Sequence, residues 1–78
     1  MDLGKNISYF RNQSGFSQES LAATINVSRQ TVYKWESNIA IPRADHIIQL
    51  VKAFNISYND LFREDLFEEE KEEEQVDL

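Results

Sequence analysis

The chain has no cysteine, one histidine, one proline and two glycines among its 78 residues, and these shortages set the first limits. Without cysteine there is neither a disulfide to staple the fold nor a thiolate for a metal site. His46 stands alone, so no histidine cluster points to a catalytic metal. No glycine-rich phosphate loop and no nucleophile–base pair can be found, and the chain is expected to be neither an enzyme nor a cofactor protein. No apolar run approaches the roughly 20 residues of a membrane helix, and no signal peptide is recognisable. The expectation is a cytoplasmic chain with no membrane partner. Its stability must come from a core, for which 41% hydrophobic and 12% aromatic residues provide the material.

The net charge of −6 conceals two segments of opposite sign. Residues 64–78 hold nine acids and one base, whereas residues 1–63 hold five acids and seven bases. The sequence therefore divides into a mildly basic domain, 1–63, and an acidic tail, 64–78. Six acids around Lys71 between Glu68 and Glu74 predict a solvated, disordered segment.

Apolar residues in the domain recur at spacings of three and four, the period of amphipathic helices. Leu3, Ile7 and Phe10 form one stripe, Leu21, Ala22 and Ile25 a second, and Val32 and Trp35 a third. Ile47, Ile48, Leu50, Val51 and Phe54 form a fourth, and Leu61 with Phe62 a short fifth. This pattern predicts an all-α domain of five short helices. Three serines mark helix starts: Ser17, Ser28 and Ser57 each follow an apolar residue and precede another four positions on. Each has the form of an N-cap inside a hydrophobic staple, and Ser57 with Asp60 has the form of a capping box. Gly15 is placed to end the first helix in a left-handed conformation, which would fold Phe16 back toward Phe10. Asn26 is the residue between the second and third helices that accepts positive φ most readily. A connection this short suits a helix-turn-helix, and equally an ordinary corner in a small helical bundle.

The run Phe16-Ser-Gln-Glu-Ser-Leu-Ala22, then Val27-Ser-Arg-Gln-Thr-Val-Tyr-Lys-Trp-Glu36, then Pro42, resembles the Cro/phage-repressor (XRE-type) helix-turn-helix family. The resemblance runs from Leu3 to about Phe62 and includes Arg11 in the first helix. It implies a five-helix, lambda-repressor-like domain that binds double-stranded DNA, as a homodimer on paired half-sites. Asn26 and Asn38 stand where the family usually has glycine, and Arg43 where it often has a serine cap.

What the resemblance implies for single residues can be weighed against their chemistry. On the third helix Val32 and Trp35 share one side, while Arg29, Gln30, Tyr33 and Lys34 share a polar face. Arg29 and Lys34 match the acceptors of guanine, and Gln30 matches the adenine edge. A solvated helix face would look the same in isolation. Tyr33 either meets DNA or shields Trp35. Gln18 is implied as a phosphate contact that could also brace Gln30, with Ser17 beside it at the same helix start. Asn38 and Arg43, just past the third helix, are implied as further anchors. Ser28 is first a cap, and Thr31 touches either phosphate or a thymine methyl. Arg11 and Glu36 are implied as a buried structural ion pair. His46 is expected on a helix surface and Trp35 in the core. Exposed-looking Ile39, Ile41, Phe62, Leu66 and Phe67 are candidate dimer contacts. The functional expectation is a sequence-specific regulator of transcription, a repressor. The alternative is an antitoxin or protein-binding module with the same fold.

Overall fold

The computed structural model describes residues 1–67; of the acidic segment, everything after Phe67 lies outside the described residues. Among those described, the chain forms five helices and no strand: α1 (Leu3–Gln13), α2 (Gln18–Thr24), α3 (Arg29–Glu36), α4 (Ala44–Phe54) and α5 (Tyr58–Leu61). The number and order of helices agree with the periodicity.

Local chemistry fixes the helix ends. Gly15, Asn26, Asn38 and Asn55 all have left-handed backbones, with φ of 80°, 60°, 59° and 56°. The residue after each donates its amide back one turn: Phe16 to Arg11 at 3.0 Å, Val27 to Ala22 at 2.9 Å, Ile39 to Lys34 at 2.9 Å and Ile56 to Val51 at 3.1 Å. These bonds are those of the Schellman motif, which satisfies carbonyls that a helix end leaves open. At the opposite ends, the hydroxyls of Ser17, Ser28 and Ser57 accept from the amides of Ser20, Thr31 and Asp60 at 2.9, 3.1 and 3.0 Å. Reciprocal bonds complete capping boxes at two of them, from the Ser17 amide to the Ser20 hydroxyl and from the Ser57 amide to the Asp60 carboxylate. Asp2 caps α1 by accepting from the Lys5 amide at 2.8 Å. Arg43 opens α4 without a side-chain cap.

Ile7, Leu21, Ala22, Ile25, Val32, Trp35, Leu50, Val51, Phe54 and Leu61 form the buried core, drawn from all five helices. The rings of Phe10 and Phe16 both meet Phe54, at 6.3 and 6.4 Å; Phe16 thus reaches α4 as well as bending back over the end of α1. Asn6 is a buried polar residue that the hydrophobic pattern does not single out. Its amide nitrogen donates to the carbonyls of Leu61 and Arg63, both at 2.9 Å, and so ties the end of α5 to α1. Beyond α5 the chain stays against α1: Phe67 packs edge-on to Tyr9 at 5.6 Å, with the Lys5 ammonium 4.2 Å above its ring. Among the described residues no buried side-chain nitrogen or oxygen lacks a partner.

Candidate nucleic-acid interface

Two contacts from α1 fix the position of α3. At its N-terminal end, the Gly4 amide donates to the Asn38 side-chain oxygen at 3.0 Å. A Cβ on Gly4 would lie 2.6 Å from the carbonyl oxygens of both Trp35 and Glu36, so only glycine permits this approach. At its other end, Arg11 grips Glu36 with two parallel bonds, Nε to Oε2 at 2.6 Å and a terminal nitrogen to Oε1 at 3.1 Å. The second terminal nitrogen of Arg11 donates to the Phe16 carbonyl at 2.9 Å.

Gln18 at the start of α2 donates its amide to the same Glu36 oxygen at 3.1 Å. One carboxylate therefore joins α1, α2 and α3. The side chains of Arg11 and Glu36 are only 13% and 8% exposed. For a pair this buried, losing one partner costs about 3–5 kcal/mol, because the other charge is left stranded. The sequence suggested Gln18 bracing Gln30; the structure gives it to Glu36 instead. A Gln side-chain amide carries two N–H groups, and the one not used on Glu36 can still donate outward.

With α3 held in this way, Val32 and Trp35 point into the core, and His46 from α4 covers Trp35 with ring centroids 5.2 Å apart. The opposite side is solvent-facing: Arg29, Gln30, Tyr33 and Lys34 are all exposed. Arg29, Gln30 and Tyr33 line an open depression.

The other candidates are distributed as follows. Ser17 and Ser28 are exposed caps, and the Ser28 hydroxyl also meets the Thr31 hydroxyl at 2.9 Å. Arg43 is exposed and pairs at 3.2 Å with Asp45, two residues on, so its charge is partly answered locally. Asn38 uses both ends of its side chain within the domain, accepting from Gly4 and donating to the Asp2 carboxylate at 2.8 Å. That bond and the Lys5 amide hold the Asp2 carboxyl below its ordinary pKa. Asn38 therefore clamps α1 to the end of α3. Spacing could not disclose this role, because its partners lie 34 and 36 positions away.

These features define a small helix-turn-helix domain whose second helix is braced from behind and open in front. The helix-turn-helix family profile matches residues 7–61, and the chain belongs to that family, in its Cro/phage-repressor (XRE-type) branch. Over 52 residues it is 36% identical to YgzD, an uncharacterized HTH-type transcriptional regulator of Bacillus subtilis (strain 168). That match spans 67% of this chain and 79% of the relative. The fold is similar to that of the restriction-modification controller protein C.AhdI from Aeromonas hydrophila, with a TM-score of 0.73 and 28% identity over 78% of this chain and 92% of that one. It is also similar to the DNA-binding domain of the P22 c2 repressor, with a TM-score of 0.75 and 26% identity over 82% and 84% of the two chains. The fold is lambda-repressor-like, and the family is one of DNA-binding regulators rather than enzymes. Among the described residues no helix is long and apolar enough to cross a membrane.

Proposed function

We propose that this protein is a sequence-specific DNA-binding repressor, acting in the cytoplasm as a homodimer, with α3 lying in the major groove. The observation that carries this reading is the outer face of α3. Arg29, Gln30, Tyr33 and Lys34 are exposed together on a helix whose other side is locked into the core. Arg29 and Gln30 occupy its first turn, the end that approaches base edges in this motif. Arg29 and Lys34 offer donors to guanine, and Gln30 offers a donor–acceptor pair to adenine. Tyr33, half exposed, adds a ring and a hydroxyl on the same face. Gln18, with its remaining N–H, and Ser17, Ser28, Thr31 and Arg43 around the rim supply phosphate contacts that set register without reading sequence. Asn38 contributes by positioning, through its hold on Gly4.

Selection of preferred duplexes from a random pool tests this reading. A preferred site should emerge, and affinity for it should fall steeply with salt. Arg29→Ala and Gln30→Ala should each cost about 1–3 kcal/mol and relax one position of the site. A uniform loss on all sequences would reduce these residues to phosphate contacts. Failure to select any sequence would favour the protein-binding alternative.

A further inference from the structure

The DNA reading leaves part of the charge distribution without a role, and two features of the described residues bear on it. The first is a gap on α3. Arg11 pairs with Glu36, Arg43 with Asp45 and Arg63 with Asp65, but the side chains of Arg29 and Lys34 have neither an ion pair nor a hydrogen bond among the described residues. The acid of α3, Glu36, is buried and committed to Arg11 and Gln18. The outer face of α3 thus carries two positive charges with nothing opposite them.

The second feature is the path by which the chain leaves the domain. Looking down α1 with Gly4 at zero, Arg11 falls at roughly −20°, Lys5 and Tyr9 at roughly 100° and 140°, and Asn6 at roughly 200°. Gly4 and Arg11, on one side of α1, bond to the end of α3 and the residue just past it. Asn6 holds the end of α5, whereas Phe67 lies on Lys5 and Tyr9. Between Arg63 and Phe67 the chain therefore winds round α1 from the α5 side toward the α3 side. It then continues into residues 68–78, which contain seven acids and one base. Eleven residues span at most about 35–40 Å when extended, and a 67-residue domain is about 28 Å across. The face of α3 is within reach.

We propose that residues 68–78 are an internal ligand of the α3 face, their carboxylates pairing with Arg29 and Lys34 in the free protein. A polyanion that binds this face must first displace them. On the reading that the polyanion is DNA, apparent affinity for any duplex is reduced by the fraction of molecules whose face is occupied. Because the internal contact is Coulombic, salt weakens it too, so the protein's DNA affinity falls less steeply with ionic strength than it would with a neutral tail.

The 78-residue chain provides a clean probe, since it has no cysteine and Val76→Cys introduces a single site for a nitroxide. The label should broaden the amide resonances of Arg29, Gln30, Tyr33 and Lys34. The broadening should vanish in the Arg29→Ala/Lys34→Ala double variant and at high salt. In parallel, changing Glu68, Glu69, Glu70, Glu72, Glu73 and Glu74 to Gln should tighten binding to a random duplex about tenfold at low salt, with the gap closing as the ions screen the contact. No broadening on α3, or broadening centred on Lys52 instead, overturns the proposal whatever the DNA result. Broadening on α3 with unchanged affinity for a duplex that does bind overturns the competition. If the label contacts α3 but neither protein binds any duplex, the DNA reading falls and the internal contact stands.

Discussion

At Gly4 the backbone of α1 comes so close to the end of α3 that any side chain would have to push two carbonyl oxygens and the Asn38 side chain away. The expected sign of a mutation follows from weighing two effects. In a helix interior, alanine is ordinarily favoured over glycine by about 1 kcal/mol. Overpacking a closely fitted contact costs about 1–3 kcal/mol, and here the obstacles are mainly backbone atoms, which yield least. Gly4→Ala should therefore destabilise the domain by about 1–2 kcal/mol, read as a lower urea midpoint with unchanged slope. A stabilised variant would mean that α1 can shift without losing its grip on Asn38. The same substitution should weaken DNA binding, because the face of α3 is positioned by the contact it disturbs.

At the level of elements, one tripeptide explains most of the topology. Gly15-Phe16-Ser17, Asn26-Val27-Ser28 and Asn55-Ile56-Ser57 each end one helix and begin the next. The left-handed residue turns the chain, the apolar residue packs on the core, and the serine caps the following helix. This is why helix number, order and starts were legible from sequence: the signals are local and repeated. Asn55→Ala should cost about 1 kcal/mol, because alanine keeps the Cβ crowding of the left-handed region without the short polar side chain that offsets it, while Asn55→Gly, which removes the Cβ, should be neutral or better. Equal thermal stability of the two variants would show that this turn is not under such a constraint. The polar face of α3 was equally legible, because it depends only on helical period. The braces behind it were not. Gln18 reaching Glu36, Asn38 reaching Gly4 and Asn6 reaching Leu61 join residues 18, 34 and 55 positions apart. No local pattern distinguishes those amides from solvated ones. Asn38 shows the difficulty best, since its left-handed backbone follows from its place after α3 while its side-chain role depends on how α1 packs.

Across the whole molecule, the apolar surface is uneven in a way that these turns make informative. The residue following each left-handed turn is packed against the core at Phe16, Val27 and Ile56. At the remaining turn, Asn38, the next residue Ile39 is 66% exposed, and Ile41 two positions on is 81% exposed. No serine cap follows there; the chain runs through Ala40 and Pro42 to Arg43 before α4 begins. Leu66 and Phe67 are partly buried against the domain, which leaves the loop between α3 and α4, with Phe62, as the better candidate for the face between two copies in the proposed homodimer. A dimer joined through this loop would have to present its two α3 helices to half-sites about one helical turn apart, roughly 34–36 Å. Changing Ile39 and Ile41 together to Asp would place charge where an interface needs apolar surface, while disturbing little in a monomer that already exposes both residues. The unfolding free energy of the double variant's monomer should stay within about 0.5 kcal/mol of the wild-type monomer's. In sedimentation equilibrium the double variant should dissociate at protein concentrations at least about tenfold higher than wild type needs, since 1.4 kcal/mol at an interface already gives that factor. It should also bind paired half-sites without cooperativity. An unchanged dimer would move the interface to another face, and loss of the monomer fold would show that the isoleucines act within the domain.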